Sequence, residues 1–173
     1  YYRNENNIGL YPNVKRCFDL AKTNYVMTLD DDDKLSPTYV ESFLMAVDKH
    51  HDLDVFFTDF GLITKRGNEF HKHILPFGYF EDGQKIIEYG IKHKLGFPLM
   101  SSVLKTEKTE DFHAEDNSSG SYDWHWIYSK ANELSFYGHP EKLYQYRLHG
   151  NQDTTKNSKY FMLAIPYIYG KIL

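Results

Sequence analysis

Four consecutive aspartates, Asp30 to Asp33, directly follow the apolar run in YVMTLDDDDKLSPTYVESF. Neighbouring carboxylates repel one another and gain nothing from packing, so their position after a short strand needs an explanation. In an extended segment alternate side chains share a face, so Asp30 and Asp32 are expected to point together and Asp31 away. Two converging carboxylates suit a hard divalent cation, Mn²⁺ or Mg²⁺, whose charge offsets their repulsion. The pattern therefore favours a metal site at the end of a strand.

Three other interpretations of the aspartate run compete with a metal site. Charge runs are commonly solvated turns, and composition alone supports that alternative equally. A calcium-binding EF-hand is disfavoured because Lys34 occupies a ligand position and Leu35 occupies the position that requires glycine. An Asp-Asp-Asp-Asp-Lys tag is disfavoured because the run lies between a predicted buried strand and a predicted capped helix.

The elements around the aspartates predict an α/β fold with a mixed sheet flanked by helices. Apolar residues three or four apart predict a helix over Tyr11–Lys22, with Cys17 on its buried face. A buried strand is expected over Tyr25–Leu29. Ser36 is expected to cap the next helix, with Pro37 at its first position.

Further along the chain, strands and helices alternate at first, and the pattern becomes antiparallel towards the end. Helices are expected over residues 82–93 and 122–134, the latter capped by Ser121, and in the last apolar segment. Polar, irregular segments are expected over 106–120 and 149–158. The predicted strands are residues 53–64, 69–73, 99–105, 134–138 and 143–148, with a turn at 65–68.

The composition is that of one soluble globular domain: 173 residues, 41% of them hydrophobic, with a net charge of −4. No stripe of Lys and Arg stands out, so no nucleic-acid partner is expected. Cys17 is the single cysteine, which favours a reducing, cytoplasmic setting. No apolar run approaches the ~20 residues of a membrane span.

Two segments of the chain resemble glycosyltransferases of family 2, which have the GT-A fold. NNIGLYPNVKRCFDLAKTNYVMTLDDDDKLSP, residues 6–37, is similar to the family's order of Asn-x-Gly, helix, Ala-x-x-x-Tyr, strand, Leu-Asp-x-Asp-Asp and proline. SYDWHWIYSKANELSFYGHPEKLYQYRLHGNQDTT, residues 121–155, resembles the acceptor-side block, with an acidic residue, an aromatic-rich helix, Pro-x-x-Leu-x-x-Tyr-Arg and histidine. The order and spacing of the two motifs make the combined match specific.

The resemblance implies an inverting, metal-dependent transfer of a sugar from a nucleotide-sugar, expected to be a UDP-sugar, to an acceptor hydroxyl. By the same resemblance Asp32, with Asp30, holds Mn²⁺ or Mg²⁺ on the diphosphate, and Asp31 contacts the donor. Asp123 is expected to be the base that accepts the proton of the acceptor hydroxyl. It lies at a predicted helix start, where the dipole favours its ionised form. Supporting the helix start is its alternative role.

Four more residues receive expected roles from the second motif. Arg147 and His149 are expected to contact the diphosphate or the metal, the alternatives being a surface ion pair and a turn residue. Trp124 and Trp126 are placed on the acceptor side, where one of them would stack on a sugar, although core packing is the commoner role of tryptophan. Residues 150–158 are expected to close over the donor.

The family's upstream strands, which end in Pro-x-Tyr-Asn and Asp-Asp-Gly-Ser and hold the nucleoside, do not occur in this sequence. We therefore expect one partial GT-A domain over residues 1–173, with 1–60 on the metal and donor side and 61–173 on the acceptor side. An exposed apolar sheet edge is also expected, to be covered by an upstream segment or a second copy of the chain.

The expected partners are a nucleotide-sugar donor and a glycan or glycoconjugate acceptor, with surface polysaccharide as one expectation. The terminal apolar segment leaves peripheral association with the inner membrane face open, although docking on the core is favoured. The alternative class is a non-catalytic or degenerate module that binds metal or carbohydrate, and it would bind sugar without nucleotide. A nuclease is disfavoured by the lack of a basic groove.

Overall fold

The computed structural model describes residues 2–64, 66, 69–70, 75–93, 96–112 and 122–150, and these form an α/β domain. The α-helices are α1 (Leu10–Leu20), α2 (Tyr39–Lys49), α3 (Gln84–His93) and α4 (Tyr122–Ser129). The strands are β1 (Tyr25–Val26), β2 (Lys34–Leu35), β3 (Val55–Thr64), β4 (Glu69–Phe70), β5 (Gly78–Phe80), β6 (Ser102–Lys105) and β7 (Phe136–Leu148).

The described strands form a single mixed sheet in the order β1-β6-β3-β7-β2, with β4 paired to β3 and β5 paired to β7. β3 and β7 run parallel, from Val55 opposite Phe136 to Thr64 opposite Leu148. The other strand pairs are antiparallel. β1 ends the strand order, so its outer edge has no strand partner among the described residues.

Helices cover both faces of this sheet. Alternate residues of β3 point to opposite sides, so neighbouring residues of the strand pack against different helices. Phe57 belongs to a core cluster that also contains residues of α1, α3 and α4. Its neighbour Phe56 belongs to a second cluster, formed with Tyr39 and Ala46 of α2. The predicted α/β class and mixed sheet flanked by helices are thereby confirmed.

A buried pair of polar residues sets the register of the two long parallel strands. The Ser135 backbone N–H donates to Asp54 Oδ2 at 3.0 Å, and the Asp54 N–H donates to Ser135 Oγ at 3.0 Å. The Val55 N–H donates to the Ser135 carbonyl at 2.9 Å. These bonds hold the starts of β3 and β7 side by side, so the far ends of both strands, where the aspartates lie, are also fixed.

The predicted pair of strands over 134–138 and 143–148 is wrong, because β7 runs without a break from Phe136 to Leu148. Pro140 has no N–H to donate to a ladder, and the register between β3 and β7 shifts beside it, around Asp59. A bulge therefore accommodates the proline between the two stretches that the sequence predicts as separate strands.

The placement of Cys17 on the buried face of the first helix is also wrong. Tyr11 and Phe18 are the buried residues of α1, and the cysteine is exposed. Each residue turns a helix by about 100°, so Cys17 points well away from Phe18.

Several other elements are shorter than predicted. β1 has two half-buried residues, where a buried strand was expected over Tyr25–Leu29. β6 is preceded by a 3₁₀ turn at Leu99–Ser101, and α4 ends at Ser129, with a 3₁₀ turn at Ala131–Glu133 in place of its last residues. α2 begins at Tyr39 rather than at Pro37, although the Ser36 carbonyl still accepts the Tyr39 N–H.

Some expectations fall on residues outside the described ranges. These are most of the turn at 65–68, the end of the strand 69–73, the Ser121 cap, most of 106–120, the loop beyond Gly150 and the terminal segment. Among the described helices, none has the length and apolar character needed to cross a membrane.

Candidate active site

The aspartate run forms a tight turn between β1 and β2. The Asp33 N–H donates to the Asp30 carbonyl at 3.2 Å, which bends the chain at a point where an extended segment was expected. One carboxylate oxygen from each of Asp30, Asp32 and Asp33 lies within 4.8 Å of the others. Asp31 is exposed and lies outside this group. The turn brings Asp30 and Asp32 together as expected, but through a bend rather than through alternation along an extended segment, and it adds Asp33, which the sequence did not single out.

The end of β7 lies against this turn because β2 pairs with it antiparallel. The Arg147 N–H donates to Asp33 Oδ1 at 2.7 Å, and its Nε donates to the Asp32 carbonyl at 2.6 Å. His149 Nε2 lies 2.7 Å from Asp32 Oδ2. Two residues predicted from the downstream motif therefore contact the aspartates directly.

Tyr144 is a member of this arrangement that sequence reasoning missed. Its side chain is fully buried, at 0% exposure, and its hydroxyl donates to Asp33 Oδ2 at 2.6 Å. Nothing local in the sequence marks a tyrosine that contacts an aspartate 111 residues away. The one available signal was its place in the apolar run before Arg147, which predicts burial but gives no partner.

The turn concentrates negative charge, and the pKa values of Asp30 and Asp33 are both raised. Asp30 is exposed as a residue, but one of its carboxylate oxygens belongs to the cluster. Desolvation is the main cause that raises the pKa of this carboxyl group, and repulsion from the other three aspartates adds to it. For Asp33, desolvation is the largest effect and raises the pKa, and the hydrogen bonds from Tyr144 and Arg147 offset this only in part. A cation at this position would oppose both shifts, because it favours the ionised carboxylates.

Asp123 lies in the first turn of α4 and is half-buried. Desolvation of its carboxyl group, which is enclosed by protein, raises its pKa to about 7, and the charge of Asp30 adds to the shift. The backbone N–H of Trp124 opposes the shift by donating to the carboxylate. Asp123 and the aspartate turn thus belong to one electrostatic neighbourhood. A carboxyl group that titrates near neutral pH is suited to accept a proton.

The two tryptophans of α4 have different surroundings. Trp126 is 1% exposed, and its ring packs edge-on against Phe112 with centroids 5.0 Å apart, so its placement on the acceptor side is wrong. It anchors the core instead. Trp124 is half-buried and covers Gly96 so closely that a Cβ there would lie 1.8 Å from its indole. Its outer surface remains available to a ligand.

The donor set of the turn fits a hard divalent cation. It consists of converging carboxylate oxygens, the ligands that Mg²⁺ and Mn²⁺ prefer, and an imidazole nitrogen that Mn²⁺ also accepts lies beside Asp32. The sites of open α/β sheets lie at such strand ends.

Comparisons with known proteins agree with this fold. An uncharacterised glycosyltransferase of Methanocaldococcus jannaschii is 28% identical over 149 residues, which cover 86% of this chain and 50% of that protein. The crystal structure of S. aureus TarS matches with a TM-score of 0.60 at 14% identity, covering 94% of this chain and 45% of that one, and shares the fold. This chain thus spans about half the length of each relative.

The family comparison covers the part of the chain that carries the aspartates. A sequence model of "Glycosyl transferase family 2" matches residues 1–105 of the 173. That match includes α1, the turn and the central strand β3, so the segment that first suggested the resemblance lies within it. The chain belongs to glycosyl transferase family 2.

Proposed function

We propose that the protein transfers a sugar from a nucleotide-sugar, a UDP-sugar being the expected donor, to an acceptor hydroxyl with inversion at the anomeric carbon. One observation carries this proposal: the carboxylates of Asp30 and Asp32 converge within reach of His149, and Asp30 also acts on the titration of Asp123. The effect of the Asp30 charge on the pKa of Asp123 supports a single site for the candidate donor-side and acceptor-side groups. Family membership supports sugar transfer as the reaction class.

Asp32 and Asp30 would hold Mn²⁺ or Mg²⁺, with His149 beside them as a further ligand. The bound cation would supply positive charge that stabilises the departing diphosphate. Arg147 lies on the same side of the turn, fixed by its Nε bond to the Asp32 carbonyl, so its guanidinium adds a second positive charge for the phosphates. Asp31, exposed at the tip of the turn, is the residue we assign to the remainder of the donor.

Asp123 would act on the acceptor. Its carboxylate accepts the proton of the acceptor hydroxyl as that oxygen bonds to the anomeric carbon, and the bond from this carbon to the diphosphate oxygen breaks on the opposite face. The attack from the opposite face inverts the configuration. A pKa of about 7 makes Asp123 a stronger base than an ordinary aspartate and still leaves much of it ionised at neutral pH.

Calorimetric titration of the intact protein with UDP, with and without Mn²⁺, tests the donor side. We expect binding that requires Mn²⁺ and that Asp32→Asn abolishes. The matched control is Asp48→Asn, which neutralises an exposed carboxyl on α2 and should bind like the unchanged protein. Sugar binding without nucleotide or metal would instead identify a carbohydrate-binding module, and UDP binding that is the same without Mn²⁺ or in Asp32→Asn would overturn the metal–diphosphate site.

A further inference from the structure

Asp33 differs from the other two carboxylates of the cluster because both of its oxygens already accept hydrogen bonds from β7. Oδ2 accepts the buried Tyr144 hydroxyl at 2.6 Å, and Oδ1 accepts the Arg147 backbone N–H at 2.7 Å. Both donors belong to a long strand that is paired along most of its length, so they are rigid. A carboxylate held by two short bonds has its position set by the donors.

This attachment also determines where Asp32 lies. Asp32 directly precedes Asp33 in the turn. His149 lies two residues after Arg147, just beyond the end of β7. The 2.7 Å approach of His149 Nε2 to Asp32 Oδ2 therefore depends on how the turn is seated on β7. The Arg147 Nε–H also donates to the Asp32 carbonyl at 2.6 Å, which holds the backbone of Asp32 against the same strand.

We propose that Asp33 and Tyr144 are positioning residues, which seat the aspartate turn on β7 and so set the spacing of Asp32 and His149. Asp33 is then not a third metal ligand, although its oxygen lies within 4.8 Å of the others. The inference rests on the proposed function in one respect only, the effect on metal binding. If the turn binds Mn²⁺, its affinity for the ion depends on the buried Tyr144 hydroxyl, which lies outside the carboxylate cluster.

Tyr144→Phe is the decisive variant because it removes one hydroxyl and no candidate ligand. Tyr39→Phe is a matched control: Tyr39 is 1% exposed, and its hydroxyl donates to the Ser101 carbonyl at 2.9 Å, in the core beneath α2. Each variant loses the hydrogen bond of one buried tyrosine side chain, at 2.6 Å for Tyr144 and 2.9 Å for Tyr39, so both should lower the melting temperature. The Tyr144 bond alone connects to the aspartate turn.

Mn²⁺ affinity of the intact protein, measured by electron paramagnetic resonance of the free ion, is the first readout. We expect Tyr144→Phe to weaken binding about 10- to 100-fold, as changes to residues that orient metal ligands do. Tyr39→Phe should stay within about twofold of the unchanged protein. In Asp33→Asn, the side-chain carbonyl can still accept the Arg147 N–H, and the NH₂ group lies beside the Tyr144 hydroxyl. This variant should therefore weaken Mn²⁺ binding less than Asp32→Asn does.

Unchanged Mn²⁺ affinity in Tyr144→Phe would overturn the proposal, and so would an Asp33→Asn loss as large as that of Asp32→Asn. Crystal structures of the metal-free Tyr144→Phe and Tyr39→Phe proteins give a readout that needs no metal binding. We expect the separation of His149 Nε2 and Asp32 Oδ2 to exceed 3.5 Å, the limit of a hydrogen bond, in the first and to stay near 2.7 Å in the second. If the unchanged protein bound no Mn²⁺, the proposed function would fail while this distance still decided the positioning role.

Discussion

Asp123 is the one carboxyl group of the site whose proposed role is proton transfer rather than metal binding. We expect Asp123→Asn to lower kcat about 10²- to 10⁴-fold, because an amide cannot accept the acceptor proton. Mn²⁺-dependent binding of UDP should stay within a few-fold of that of the unchanged protein, since the amide keeps the side chain's shape. Transfer assays with saturating donor, alongside calorimetry, measure the two quantities.

The outcome separates a base from a residue that supports the start of α4. A structural role predicts that kcat and the melting temperature of Asp123→Asn fall together, since the helix start would be lost. Near-full transfer activity in a folded Asp123→Asn protein would show that another group accepts the proton. Asp48→Asn, on α2, is again the control for the loss of one negative charge.

The same substitution should have a pH-dependent effect on stability. The pKa of Asp123 is about 7 in the folded protein, against 3.8 for an unperturbed aspartate. The folded state therefore binds more protons between pH 4 and 7, and the free energy of unfolding falls as the pH rises through that range. Asn does not titrate, so Asp123→Asn avoids this loss.

We expect metal-free Asp123→Asn to match the unchanged protein near pH 4 and to exceed its free energy of unfolding by about 1–3 kcal/mol at pH 8. This range is smaller than the free energy that corresponds to the whole pKa shift. Asp123 as a residue is half-buried, so solvent screens part of the effect. Urea denaturation in EDTA at several pH values measures the difference. A constant difference across the whole range would mean that the carboxyl group is not desolvated in the folded protein.

At the scale of elements, β7 connects the parts of the site, and other segments approach its backbone closely at Gly138. A Cβ at Gly138 would lie 2.4 Å from the Pro76 carbonyl oxygen and 2.8 Å from the Phe57 ring. Because the first of these atoms belongs to the backbone, Gly138→Ala must displace β7 or the segment that leads into β5. We expect a loss of about 1–3 kcal/mol in the free energy of unfolding.

Gly150→Ala is the matched control, since a Cβ there meets nothing within 4 Å. It should change stability by less than about 0.5 kcal/mol in the same denaturation experiment. Equal effects of the two substitutions would indicate that the approach of β5 to β7 is looser than the structure shows.

Elements with a clear apolar period could be predicted from the sequence, and long-range contacts could not. α2, α3 and the central strand β3 follow from spacing and composition, within a few residues at their ends. Pro140 favours an interruption of the strand locally. Because β7 pairs with the parallel strand β3, the strand continues past the proline and forms a bulge there. Asp33 has the same residue type as its neighbours, so its distinct contacts depend on Tyr144, which only the fold brings near.

At the scale of the molecule, the candidate site joins segments that are far apart in the chain. The family match covers residues 1–105 and so includes the aspartates, while Asp123, Arg147 and His149 lie beyond it. The sheet explains how Arg147 and His149 meet the aspartates: β3 and β7 lie side by side, and β2 attaches the turn to the end of β7. A ligand that joins the turn to β7 should therefore stabilise the whole fold.

This coupling predicts that Mn²⁺ raises the melting temperature of the protein. Binding at 100 times the dissociation constant adds about 2.7 kcal/mol to the free energy of unfolding, which corresponds to roughly 5–10 °C for a domain of this size. Differential scanning calorimetry with increasing Mn²⁺, followed by EDTA, measures the shift and its reversal. Asp32→Asn should remove the shift, and Asp48→Asn should retain it. A shift of the same size in both variants would mean that the ion binds elsewhere, because only one of the two carboxylates belongs to the cluster.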